Sequence, residues 1–137
     1  MAKFGTTSEQ RLSQCDARLQ KLFRHVVLRF DCKVLTGHRS KVAQTTAFNA
    51  GASKVQWPNS KHNSVPSRGI DVAPYPIPEQ FGANSRNEYE KFKYFAFYVM
   101  GVADAMGIRL RWGGDWDGDF DTEDQTFNDL LHFELED

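Results

Sequence analysis

The sequence predicts a small α+β domain: an antiparallel sheet with helices packed on one side. Two segments carry apolar residues at spacings of three and four, the mark of amphipathic helices. Several short apolar runs are bounded by Gly, Pro or polar residues, as strands are. The resulting order is helix, strand, helix, strand, helix, strand, strand, which suits a helix layer on a sheet.

The elements follow in order. Thr7 or Ser8 is a candidate N-cap, and Leu12, Cys15, Leu19, Leu22 and Val26 mark one helix that ends near Phe30. Asp31 to Thr36 reads as a strand closed by Gly37. Ser40 caps a second helix running to about Ala50, with Gly51 as its stop. Residues 52 to 69 hold Pro58, Pro66 and Gly69 and read as loop. Ile70 to Ala73 is a buried strand, ended by Pro74-Tyr75-Pro76, and residues 77 to 86 are loop again. Asn87 to Met106 is the clearest helix, with Phe92, Phe95, Val99, Val102 and Met106 on one face and Gly107 at its end. Ile108 to Trp112 and His132 to Leu135 are strands, separated by a long acidic loop. Loops this long inside a compact domain are usually functional.

A chain of 137 residues predicts one domain over residues 1–137, large enough to bury a core without staples. Apolar residues at 40% and charged residues at 26% are ordinary globular values, while 13% aromatic is high and predicts aromatic packing. Seventeen basic against 18 acidic side chains leave a net charge of −1, which argues against a nucleic-acid partner. Acidic residues crowd between Asp115 and Asp137, either to hold a cation or as a solvated loop. Cys15 and Cys32 lie in different elements and form no CxxC, so they are expected as reduced, partly buried thiols. The first residues have no apolar core of a signal peptide, and no stretch approaches the roughly 20 apolar residues of a membrane span. The expectation is synthesis in a cytoplasm without stable membrane insertion; a substrate outside would require release by another agent.

The candidate chemistry centres on histidines and carboxylates. His25 sits in mid-helix without a partner at helical spacing and reads as structural. The chain has no HExxH, which excludes a thermolysin-like helix site. His62 lies in a loop leading to Asp71, a carboxylate flanked by Ile70 and Val72 inside an apolar strand. A buried Asp is costly unless paired or metal-bound. His132 opens the last strand, with Asp129 three residues before it. Together His62, Asp71 and His132 form either a His2Asp metal site with one open position, or a satisfied core Asp and two surface histidines. Arg39 is either functional or a surface charge at a helix start. Glu134 shares a strand face with His132, as a partner for its ring N–H or as an exposed strand residue. The loop from Asp115 to Asp124 places carboxylates at alternate positions, as the start of a calcium loop does, but its glycine and glutamate fall in the wrong places. It is either a regulatory Ca2+ site or a solvated loop over the site. Trp112 reads as core; Trp116 is core or a groove wall.

Four runs carry a resemblance: Thr36-Gly37-His38-Arg39-Ser40; Ser60-Lys61-His62-Asn63 with Pro66-Ser67 and Ile70 to Pro76; Leu110 to Asp117; and Asp124 to Leu135. In this order they resemble the phage L-alanyl-D-glutamate endopeptidases, which belong with the zinc D-alanyl-D-alanine carboxypeptidases and dipeptidases. The resemblance implies a Hedgehog/D,D-peptidase-like fold with Zn2+ at the sheet. It implies His62, Asp71 and His132 as zinc ligands, Asp129 as the catalytic acid/base, and Arg39 as the group steadying the polarised carbonyl. Two departures are visible. The gap from His62 to Asp71 exceeds that of the shorter motif, and Leu131 stands where proline is common.

The function so implied is that of an endolysin that cuts the L-alanyl-D-glutamate bond of peptidoglycan stems and lyses the bacterium. It would act as a monomer on the cell wall or in the periplasm, released from the host cytoplasm by a phage pore protein, with no separate wall-binding module. Three rivals stay open. A D-alanyl-D-alanine carboxypeptidase would use the same zinc apparatus with another pocket. A catalytically silent, zinc-stabilised binding domain would need neither Asp129 nor Arg39. A virion-borne wall enzyme would act at infection instead of lysis.

Overall fold

Alternating side chains build the sheet from four short strands: β1 (Cys32–Thr36), β2 (Gly69–Pro74), β3 (Leu110–Trp112) and β4 (His132–Leu135). In the computed structural model, which describes residues 2–78, 85–120 and 129–137, every pairing is antiparallel and the order is β1-β2-β4-β3. The register sets Ile70 opposite Phe133 and Asp71 opposite His132 on β2 and β4. On β3 and β4 it sets Trp112 opposite Phe133 and Arg111 opposite Glu134. Because strand side chains alternate between faces, Ile70, Val72, Leu110, Trp112, Phe133 and Leu135 enter the core. Asp71, Arg111, His132 and Glu134 share the other face.

The helices are α1 (Thr6–Leu12), α2 (Ala17–Arg29), α3 (Lys41–Asn49) and α4 (Ser85–Ala105). Helices α2 and α4 cover the core face. Phe133 meets Phe23 of α2 edge-on at 5.6 Å between ring centroids and Phe95 of α4 at 6.2 Å, the geometry that aromatic quadrupoles favour. Phe133, Phe23 and Phe95 are all buried.

The single helix expected from Thr7 to Phe30 is instead two, broken at residues 13–16. Asp16 caps α2, its side chain accepting from Arg18 N, a contact type worth about 0.5–2 kcal/mol. The break also admits a distant strand of chain. Ser67 N donates to Gln14 O at 2.9 Å and Asp16 N donates to Ser67 O at 2.8 Å. Leu12, Cys15, Leu19, Leu22 and Val26 nonetheless all reach the core. Neither proposed N-cap serves as one: Gly5 precedes α1, and the buried Ser8 turns its hydroxyl to accept from Val34 N of β1. Ser40 caps α3 through Ala43 N as expected. Gly51 and Gly107 follow α3 and α4 with φ of +79° and +73°, the left-handed conformation for which glycine is suited.

The loop expected over 52 to 69 contains one short 3-10 turn, Lys61–Asn63. Parts of the expected 77–86 loop and of the acidic loop, including Asp121 and Asp124, lie outside the described residues. Both cysteines are free and buried, and burial pushes both thiols up to about 12. Among the described residues no helix is long and apolar enough to cross a membrane.

Candidate metal centre

His62 is placed by its backbone. Ser60 caps the 3-10 turn, accepting from His62 N, while Asn63 returns its side-chain oxygen to Ser60 N. Arg39 N donates to His62 O at 2.8 Å, and Asn63 Nδ2 donates to Arg39 O at 3.0 Å, locking the turn to the segment that follows β1. The ring then points its Nδ1 at Gly37 O, 2.7 Å away. A carbonyl can only accept, so Nδ1 carries the hydrogen and Nε2 presents a lone pair.

Asp71 and His132 face this lone pair from β2 and β4. His62 Nε2 lies 3.2 Å from Asp71 Oδ1 and 3.1 Å from His132 Nδ1, and His132 Nδ1 lies 3.1 Å from Asp71 Oδ1. The remaining nitrogen of His132, Nε2, is 2.8 Å from Glu134 Oε1. Glu134 is an acceptor when ionised, so it fixes Nε2 as the donor and turns the Nδ1 lone pair of a neutral ring into the triangle. Three electron-rich atoms on buried residues therefore converge. Tetrahedral zinc with bonds near 2.0–2.1 Å would separate its ligands by about 3.3 Å, close to these edges. Two imidazoles and one carboxylate also suit zinc better than oxygen-seeking calcium or magnesium. The donor set fits such a metal.

Without a metal, protons occupy the cluster. Burial opposes a charge on His132, but the hydrogen bonds it donates to Asp71 and Glu134 outweigh it and hold the proton up to about 9. Burial alone would raise Asp71, yet the hydrogen bond donated by the protonated His132 keeps it far below the usual carboxylate range. Glu134, also opposed by burial, is held down at about 2 by His132 and Arg111.

Arg39 and Asp129 border the triangle. Arg39 Nη2 approaches Asp71 Oδ2 at 3.5 Å while Nη1 donates to Gln44 Oε1 at 3.0 Å. Asp129 is raised by burial and by the Asp71 carboxylate, with His132, His62 and Arg39 pulling the other way. Its position comes from Gly113, whose carbonyl accepts from Asp129 N and whose N–H donates to His132 O. A Cβ at Gly113 would collide with the Asp129 carbonyl. A cleft of about 400 Å³ opens over these residues, lined also by Lys61, Arg111 and Trp116. The structure thus brings together His62, Asp71, His132, Arg39 and Asp129. His25 lies exposed on α2.

The family model for phage L-alanyl-D-glutamate peptidases matches residues 1–136. The chain belongs to that family. It is 30% identical over 125 residues to the L-alanyl-D-glutamate peptidase of Escherichia phage T5, spanning 90% of this chain and 88% of that protein. Its fold resembles the crystal structure of the L-Ala D-Glu endopeptidase ChiX of Serratia marcescens, with TM-score 0.69 at 24% identity over 97% of this chain and 89% of that one.

Two residues of this phage peptidase gain weight only from the structure. Glu134, undecided from the sequence, is buried against His132. Gln44 was not singled out, yet it is fully buried. Its oxygen accepts from Arg39 and from Asn63, 3.3 Å away, and its amide donates to Ser53 Oγ and Val55 O. A polar residue on a helix with little apolar periodicity gives no sequence signal of this kind. A second acidic group, Asp115, Asp117 and Asp119, gathers oxygens within 4.8 Å of one another. Asp115 is buried, and its Oδ1 has no hydrogen-bond partner among the described residues. Trp112 is core, whereas Trp116 is only half-buried and lines the cleft.

Removing the Glu134 carboxylate frees the His132 ring to change tautomer. Glu134→Ala should weaken zinc affinity by roughly 10–100-fold, as read by competition with a chromophoric chelator. An unchanged affinity would show that His132 needs no such support.

Proposed function

We propose that this peptidase is a zinc enzyme that cuts the L-alanyl-D-glutamate bond in the peptide stems of peptidoglycan. The observation that carries the reading is the convergence of His62 Nε2, Asp71 Oδ1 and His132 Nδ1, three potential ligand atoms within about 3.2 Å of one another on buried residues. Bound zinc supplies positive charge that polarises a carbonyl and brings the ionisation of water to roughly pH 7. Asp129 takes the proton of the attacking water and passes it to the leaving nitrogen of D-glutamate. Its burial beside the triangle favours that role, because desolvation makes a carboxylate more basic. Arg39 shares the negative charge that builds on the carbonyl oxygen, steadied by Gln44. The named relatives favour this bond over D-alanyl-D-alanine, and Asp129 with Arg39 beside the triangle speaks against a silent binding domain.

In this reading residues 1–137 act as one catalytic domain and a monomer. The protein is an endolysin, made in the host cytoplasm and released to the wall through a phage pore protein. The acidic group of Asp115, Asp117 and Asp119 forms a second, regulatory site for calcium, supported by the unpartnered Asp115 oxygen.

Three measurements test the scheme. Zinc must displace the proton that His132 holds up to about 9, so affinity should fall about tenfold for each pH unit below that value. Titration in buffers of different ionisation heat should show about one proton released per zinc near pH 6, below the ionisation of the bound water; no release there would mean that His132 is not a ligand. Digestion of purified Gram-negative peptidoglycan should yield new D-glutamate N-termini, and Asp129→Asn should keep zinc while losing at least 100-fold in rate. Free D-alanine would point to carboxypeptidase action, and a fully active Asn variant would exclude Asp129 as the base. Calcium at saturating zinc should speed cutting; a rate indifferent to calcium and its chelators would leave the acidic group a solvated loop.

A further inference from the structure

The cleft above the triangle continues past Glu134. Arg111 and Trp116 also line a second cavity of about 350 Å³, whose wall is part apolar, with Phe97 and Phe120, and part acidic, with Asp104, Asp115, Asp117 and Glu136. Arg111, Trp116, Lys61 and Glu134 line both cavities, so Arg111 stands at the waist between them. It is held there on two sides. Its Nη2 donates to Glu134 Oε2 at 2.8 Å, and its guanidinium carbon lies 5.4 Å from the centroid of the Trp116 ring.

This arrangement orients the guanidinium without closing it off. Glu134 divides its two oxygens between His132 and Arg111. The Arg111 side chain remains 43% exposed, and its shielded Nε has no hydrogen-bond partner among the described residues. Of the other cations that line the first cavity, Arg39 faces Asp71, Lys61 Nζ donates to Asp137 O, and Lys54 sits on the 53–55 segment away from the second cavity. A planar fork whose geometry is set beforehand is the side chain best matched to a carboxylate.

The bond assigned above presents such a group. In an L-alanyl-D-glutamate linkage the leaving nitrogen sits on the carbon that carries the D-glutamate α-carboxyl. That carboxyl carbon lies only about 2.5 Å from the nitrogen. Where the chain continues through the side-chain carboxyl, the α-carboxyl is free and anionic. Arg111 is linked to His132 Nε2 through a single carboxylate, that of Glu134, and lines the same cleft as His62, His132 and Asp129.

We propose that Arg111 reads this α-carboxylate and sets the specificity for D-glutamate on the leaving side of the bond. The inference rests on the L-alanyl-D-glutamate reading given above. The second cavity then receives the residues that follow D-glutamate.

The test compares two soluble stem peptides with the zinc-loaded full chain, one bearing D-glutamate and the other D-isoglutamine, in which the α-carboxyl is an amide. Wild type should show a KM roughly 10–100-fold higher for the amide, with kcat little changed. Arg111→Met should raise KM for the D-glutamate peptide by a similar factor and erase the preference between the two. Zinc content and thermal melting establish that the variant is folded and loaded; if it is not, Arg111→Lys, which keeps the charge and loses the fork, takes its place and should likewise lose most of the preference. Equal KM values in wild type, or an intact preference in a folded Arg111→Met, overturn the proposal. Failure of wild type to cut the D-glutamate peptide at all overturns the underlying reading, and the role of Arg111 with it.

Discussion

The pairing of Asp71 with His132 across β2 and β4 governs both the core and the site. Side chains on a strand alternate, so a slip of one residue would turn Asp71 and His132 into the core and expose Ile70 and Phe133. The aromatic contacts of Phe133 with Phe23 and Phe95 oppose that slip. The same packing that stabilises the sheet therefore fixes which polar atoms meet on its other face. Only His62 comes from outside the sheet, and it arrives through a turn whose backbone is tied to Arg39.

Much of this was legible in the sequence because it follows from alternation and punctuation. Asp71 between two apolar residues and His132 before Phe133 mark strands with one polar position turned away from the core. Gly51 and Gly107 end helices where expected, since a left-handed residue suits glycine. The break between α1 and α2 was not legible, because its cause is Ser67, some fifty residues distant, which bonds to Gln14 and Asp16. The apolar spacing runs through the break undisturbed, so periodicity could not reveal it. Gln44 escaped for a related reason: its burial depends on Arg39, Asn63 and the 53–55 segment, none of which a local pattern encodes. His62, Asp71 and His132 could be named together as candidates, but the orientation of each ring depends on Gly37 O and Glu134, and a backbone carbonyl leaves no trace in residue type.

The electrostatics of the metal-free cluster have a common origin. Asp71 and Glu134 flank the two nitrogens of His132, so a proton there is held by a carboxylate on each side. A cation in the triangle would exchange that proton for a stronger charge while the surrounding carboxylates stay ionised. Gln44 provides the neutral counterpart, fastening Arg39 and the 53–55 segment to the turn of His62 without adding charge to a crowded site.

Gly37 extends this dependence to the far end of the chain. Its carbonyl selects the His62 tautomer, while its α-carbon is packed so tightly against Arg11 O that a methyl group could not be added. Arg11 in turn reaches β1 through a hydrogen bond to Val34 O. The amino-terminal helix thus serves as a buttress for chemistry it never touches. Damage to α1 would present as a misaimed His62 ring, with His62, Asp71 and His132 themselves unchanged, and the tolerance of α1 to sequence drift is bounded by the imidazole it indirectly aims.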